Sequence, residues 1–190
     1  MIYINKRIKN RLLFFLCYNL YGDFMENYIC KIATLDEMNT KWDYEINRAT
    51  DDKDNYLKWR VQHINRFLEG KTIPYYGLLN GRIICEATAA LDPMLNINTT
   101  LLINDKSVYI LAVRTVDEYQ GKGYFRELFK YMINDLKSRG YKYATIGVEK
   151  NNKIAKDIYL RYGFTEYLKD SVEYYPDGTK VELEYYRKEL

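Results

Sequence analysis

From Met25 onward the chain is blocked into apolar and polar positions whose period switches between two and about 3.6, which separates strands from helices. "NYICKIA" alternates as a first strand, and "TLDE", Thr34 to Glu37, has the form of a capping box that opens a helix. A second helix is predicted over Asp54 to Glu69, where Tyr56, Trp59, Arg60, His63, Ile64 and Phe67 recur at helical spacing. "IPYYGLLNGRIICEATAAL" reads as a hairpin turned at Asn80-Gly81, a pair suited to a type I′ turn. "SVYILAVRTV" is almost wholly apolar, as a strand at the centre of a sheet must be. A helix follows with Phe125, Leu128, Phe129, Met132 and Leu136 on one face, ended by Gly140. "YKYATIGVE" is a further strand, "NNKIAKDIYLRYGF" a helix stopped at Gly163, and Pro176 to Gly178 turns a last hairpin. The order is strand, two helices, hairpin, strand, helix, strand, helix, hairpin, and it predicts a mixed α/β domain on one sheet.

Composition narrows the class. Apolar residues are 47% and charged residues 29% of 190, so the chain is globular and long enough for a sizeable core. Net charge is +3, from 29 basic and 26 acidic residues, too balanced to argue for nucleic acid. Cys17, Cys30 and Cys85 are odd in number and widely spaced, which fits neither a disulfide framework nor a metal site and points to the cytoplasm. With one histidine, His63, no protein-bound metal is expected. His63 itself reads as a half-buried helix residue, with a catalytic role as the alternative. Residues 1–24 differ from the rest: Lys6, Arg7, Lys9 and Arg11 precede a short apolar run, Leu12 to Tyr18, too short to span a bilayer. They are read as an extension to a domain over 25–190. That extension is dispensable (with Met25 as the working start), or a helix packed on the domain, or a membrane contact.

The chemistry is suggested at "YQGKGYFRELF", residues 119–129, where two glycines sit against the start of a helix. Unpaired N–H groups and the positive end of the helix dipole suit a phosphate there. It is not a nucleotide P-loop, because Lys122 is followed by Gly123 and Tyr124 instead of Ser or Thr. It is not a dinucleotide fingerprint either, because Arg126 holds the place of the third glycine. The loop instead resembles the acyl-coenzyme A loop of the GNAT N-acetyltransferase superfamily, Gln/Arg-x-x-Gly-x-Gly/Ala. Gln120 and Gly123 match, and Phe125 departs at the last position. Downstream, Asn152, Ala155, Tyr159, Gly163 and Phe164 match the family's Asn-x-x-Ala-x-x-x-Tyr-x-x-x-Gly-Phe. The resemblance is close over about residues 107–167 and extends elsewhere only to element order.

The resemblance implies a single domain with a mostly antiparallel, splayed sheet of about six to seven strands and about four helices. It implies acetyl-CoA as acyl donor and direct attack by a primary amine in a ternary complex. Main-chain groups of Val113, Arg114 and Thr115 would pair with the pantetheine arm. The N–H groups of Gly121, Lys122, Gly123, Tyr124 and Phe125, after Gln120, would hold the diphosphate, with charge added by Lys122 or Arg126. Asn152 would touch the coenzyme. Tyr159 would protonate or hydrogen-bond the departing sulfur. An aliphatic amine has a pKa of about 10.4, so a proton must leave before or during attack. The base is open between Glu86, which alternation places with Ile84 and Thr88, Glu149, and a water relay. Acceptor choice would come from the first two helices and the last hairpin. There Asp51, Asp52 and Asp54 with several tyrosines either favour a cationic amine or form a solvated loop. The acceptor is a small molecule or peptide, no nucleic acid partner is expected, and a homodimer is common in the superfamily. The competing reading, which Phe125 and the lack of a glutamate in "VYILAV" keep open, is a degenerate domain that senses acyl-CoA without turnover.

Overall fold

The computed structural model describes residues 27–49, 53–95, 101–174 and 180–190. The extension 1–24, the start at Met25, Cys17, Asp51, Asp52 and the Pro176–Gly178 turn lie outside the described residues. The element order is β1 (Tyr28–Ile32), α1 (Leu35–Arg48), α2 (Lys53–Leu68), β2 (Thr72–Leu79), β3 (Arg82–Ala90), β4 (Ser107–Thr115), α3 (Tyr124–Ser138), β5 (Tyr143–Glu149), α4 (Lys153–Arg161), β6 (Glu166–Tyr174) and β7 (Lys180–Glu189). The strands form one seven-stranded sheet in the order β1-β2-β3-β4-β5-β7-β6. All neighbours run antiparallel except β4 and β5. Among the described residues the fold is thus the mixed α/β domain that the element order predicts, with the mostly antiparallel sheet and four α-helices that the resemblance implies.

Local chemistry sets the boundaries. The capping box forms: Glu37 N–H donates to the Thr34 hydroxyl at 3.2 Å, and Thr34 N–H donates to the Glu37 carboxylate at 2.8 Å. Asn80 and Gly81 both take positive φ, 51° and 79°, as a type I′ turn requires. Helix α3 buries Tyr124, Leu128, Phe129, Met132, Ile133 and Leu136. Its buried face therefore starts at Tyr124, and Phe125, expected on that face, is only half-buried.

The main core lies under α3 and α4, where Tyr75, Ile84, Ala87, Val108, Ile110, Leu128, Met132 and Phe164 meet. Helices α1 and α2 cover a smaller cluster of Ala33, Met38 and Tyr76. A third cluster, Leu102, Leu183 and Tyr185, lies toward β7. A β-bulge falls in β3, where Gly77 pairs with Cys85 but Leu78 pairs with Ile83. The extra residue, Ile84, joins Cys85 in the core under α3, while Glu86 pairs with Lys41 of α1. The expectation that Glu86 and Ile84 share a face is therefore wrong, because a bulge breaks the two-residue period.

Candidate active site

A second bulge opens the sheet. On β4, Arg114 pairs with Glu86 and Leu111 with Thr88, so Ala112 and Val113 stand opposite Ala87 alone. Ala112 takes φ 53° to accommodate this. A bulge bends and twists its strand, here turning the end of β4 away from β5. Pairing between them stops at Ile110↔Ile146, although β4 runs to Thr115 and β5 to Glu149. Among the described residues, the β5-facing edge of β4 beyond Ile110 is left without a paired strand. That edge opens into a cleft of about 1070 Å³ walled by β4, the glycine loop, α3 and α4.

The cleft brings together Val113, Arg114, Thr115, Gln120, Gly121, Gly123, Tyr124, Phe125, Asn152 and Tyr159. The loop is fixed by its own side chains. Gln120 Nε2 donates to the Thr115 carbonyl at 3.1 Å and to Asp117 Oδ1 at 2.8 Å, tying the loop back to the end of β4. Gly121 and Gly123 have φ 71° and 87°, a region L side chains enter only with strain. Gly123 is the residue before the first turn of α3, so the helix's unbonded N–H groups face the cleft mouth. Lys122 is not part of the lining: its Nζ lies over the Tyr119 ring, 5.6 Å from the centroid. The cationic side chains brought to the cleft are Arg126, Lys130 and Arg161, while the Arg114 guanidinium is held by Glu45 and Glu86.

On the far wall, Asn152 accepts the Ala155 N–H at 3.0 Å and caps α4. Tyr159 lies on the same helix and meets Phe164 edge-on at 6.3 Å. Burial raises the Tyr159 pKa, so the phenol keeps its proton across neutral pH. Phe125, Phe129 and Tyr162 form an aromatic wall, the last two stacked at 4.7 Å. Sequence reasoning missed Lys130, Ile154, Ile158 and Arg161. The signal was present: Ile154, Ile158 and Arg161 recur at i, i+4 and i+7 on one face of α4. Ile154 is 77% exposed, an apolar side chain open to solvent in the cleft wall.

A second recess, of about 470 Å³, shares Val113, Arg114, Thr115 and Gln120 with the cleft and runs toward the end of α1 and start of α2. Tyr44, Glu45, Arg48, Ala49, Tyr56, Val116 and Asp117 complete it. Behind its wall is an ion network. Arg114 donates to Glu45 and lies 3.2 Å from Glu86, whose other oxygen lies 3.2 Å from Lys41 Nζ. Glu86 lines neither the cleft nor the recess; Glu45 lines the recess. Glu149 and Asp54 line neither. His63 is also remote, packed edge-on against Trp42 at 5.3 Å. Among the described residues there is no group of three or more His, Cys, Asp or Glu placed to hold a metal. No helix among them is long and apolar enough to cross a membrane.

An antiparallel sheet split between its one parallel pair, with a glycine loop and helix start at the split, defines the class. The model of the acetyltransferase (GNAT) family matches residues 34–164, and the chain belongs to that family. Solved structures agree in fold. A probable acetyltransferase from Staphylococcus epidermidis superposes with TM-score 0.66 at 11% identity, covering 85% of this chain and 98% of its own. A putative acetyltransferase from Salmonella typhimurium, solved with its cofactor acetyl-CoA, gives 0.60 at 18% identity over 86% and 94%. A spermidine N-acetyltransferase chimera, from Vibrio cholerae and hSSAT, gives 0.64 at 12% over 86% and 95%. No curated protein matches the chain.

Proposed function

We propose that this chain is a cytoplasmic N-acetyltransferase that carries an acetyl group from acetyl-CoA to a primary amine by direct attack. The observation that carries the reading is the unpaired β4 edge, followed after a loop tied back to Thr115 by the helix N-terminus at Gly123. The pantetheine arm is itself amide-rich and fits an open strand edge as an added strand does. The diphosphate then falls at the loop amides of 121–125, where a helix start favours negative charge. Arg126, Lys130 and Arg161 add the charge that Lys122, turned to Tyr119, does not.

The acceptor enters by the recess between α1, α2 and β4, the space that meets the cleft at Val113–Thr115. Its neutral amine attacks the thioester carbon, and a β4 N–H meets the oxyanion. Tyr159 gives its proton to the sulfur as the C–S bond breaks and takes one back through water in exchange for the proton the amine releases. A thiol of pKa about 8.5 leaves readily, so this assistance is modest. The ammonium proton leaves through water to the Glu45–Arg114–Glu86 network. Glu45 is at the recess wall and shares Arg114 with Glu86, so either carboxylate serves the pair. Both carboxylates already accept from cations, which makes this a relay and not a strong base.

Calorimetry with coenzyme A and a thiol-release screen over polyamines, aminoglycosides, amino acids and peptides test the reading. Turnover with intersecting initial-rate lines is expected; parallel lines would exclude direct attack. Coenzyme binding with no thiol released for any amine would leave the sensing domain as the better account.

A further inference from the structure

Tyr28 opens β1, the edge strand, well away from the cleft in the chain, and its side chain does not stay on its own strand. A Cβ built on Gly77 of β2 would lie 2.0 Å from the Tyr28 hydroxyl and 2.7 Å from Cζ. Gly77 has no positive φ, so its backbone does not demand glycine. What demands it is the tyrosine ring crossing over it. Beyond Gly77 the hydroxyl donates to the carbonyl of Tyr124 at 2.9 Å, and the two rings pack with centroids 4.8 Å apart. Tyr124 is the first residue of α3 and is buried, and its other side meets Tyr119 at 6.0 Å.

The other end of the loop is reached through sulfur. Cys85 is the cross-strand partner of Gly77, the residue the Tyr28 hydroxyl sits over, and lies 3.5 Å from the Thr115 hydroxyl. Thr115 ends β4, and Tyr124 begins α3. One phenol on the edge strand thus bonds one end of the loop that lines the cleft and sits over the strand partner of the cysteine that meets the other end.

We propose that Tyr28, seated over Gly77, is a positioning residue that clamps the two ends of the coenzyme loop. The proposal rests on the coenzyme site described above. Burial raises the Tyr28 pKa, so the phenol remains a donor throughout the physiological range. Removing the hydroxyl leaves the glycines and the helix in place but frees the loop to move relative to the β4 edge. The N–H groups at 121–125 then no longer meet the diphosphate at a fixed distance from the thioester. Two coupled parts of one ligand are affected, and the acceptor recess is not.

The test is Tyr28→Phe and Gly77→Ala, each alone, and Gly77→Ala in a Tyr28→Ala background. Tyr28→Phe is expected to raise the coenzyme A Kd and the acetyl-CoA KM about five-fold, the loss of one hydrogen bond, with kcat and acceptor KM within two-fold. Gly77→Ala, which pushes the ring off its seat, is expected to do at least as much. In the Tyr28→Ala background, where no ring is left to displace, it is expected to add little. The clamp is also read without any ligand: hydrogen exchange at 116–124 should speed up in Tyr28→Phe while 128–136 stays as protected as before. Unchanged coenzyme Kd and unchanged exchange in Tyr28→Phe would overturn the proposal, as would additive effects of the two substitutions. A wild-type chain that binds no coenzyme A would instead remove the functional reading, and the exchange comparison would still decide whether the clamp exists.

Discussion

His63 is the chain's single histidine, and its surroundings predict how stability depends on pH. It lies on α2 against the Trp42 ring, and burial, then the charges of Lys41 and Arg66, hold its pKa at about 4 instead of 6.5. In the unfolded chain the imidazole takes a proton as pH falls through about 6.5; in the folded chain it resists until about 4. Between those values the unfolded state binds more protons, so stability must fall with falling pH. The full loss, for a shift of roughly 2.5 pK units, is about 3 kcal/mol, and about 2 kcal/mol of it is realised between pH 7 and pH 4.5.

Urea unfolding followed by tryptophan fluorescence, at those two pH values, measures the loss directly. His63→Phe keeps an aromatic edge beside Trp42 and removes the titration, so its stability should change about 2 kcal/mol less than wild type over the same interval. With one imidazole in the chain, proton NMR gives the pKa without assignment. A measured value of 6 or above, or equal pH slopes for the two proteins, would refute the burial argument. A catalytic His63 predicts something different: an acid limb near 6.5 in kcat/KM that vanishes in the variant. The position of His63, outside both cleft and recess, predicts that no such limb exists.

Three further outcomes are expected. Tyr159→Phe should lower kcat about ten-fold or more with little change in coenzyme KM, and steady-state rates equal to wild type would remove the phenol from the proton path. Gly123→Val places a β-branched residue at φ 87°, at a cost of about 1–2 kcal/mol, and calorimetry should show coenzyme affinity reduced at least ten-fold. Glu86→Gln leaves Lys41, whose side chain is 11% exposed, facing a neutral amide, and denaturation should show a loss of about 3 kcal/mol. Pairing Lys41→Met with Glu86→Leu should recover much of that loss, because a buried ion pair replaced by apolar groups is close to neutral. A double variant no better than Glu86→Gln would count against this account of the network.

Much of the fold was legible because local chemistry and global packing agree. The Thr34–Glu37 box, the Asn80-Gly81 turn and the apolar face of α3 each form as the residues alone require. What was not legible came from bulges. Nothing in "RIICEATAA" or "SVYILAVRT" marks Ile84 or Ala112 as extra residues, yet each reverses the facing of its neighbours. Alternation put Glu86 with Ile84, and the bulge put Glu86 with Lys41. Lys122 fails as a lining residue for a related reason. Its place in the loop was readable, but the direction of a flexible side chain was not, and the Tyr119 ring draws it aside.

The two halves of the proposed site also differ in what they demand of sequence. The coenzyme half is made of main chain held in particular conformations: a strand edge opened by a bulge, two left-handed glycines and a capped helix start. Such demands fix a few residue types, Gly121, Gly123 and Asn152 among them, and tolerate almost any neighbour. These demands are compatible with structures only 11–18% identical sharing the fold. The acceptor half is made of side chains instead, Tyr44, Glu45, Arg48, Tyr56, Arg114 and Asp117, drawn from three separate elements and the loop after β4. No backbone requirement ties those identities to the fold, so they leave no motif in the sequence. Arg114 belongs to both halves, main chain in one and guanidinium in the other. Replacing it by methionine should therefore spare coenzyme affinity while changing which amines are acetylated, and an equal loss for coenzyme and acceptor would mean that the two halves are not separable.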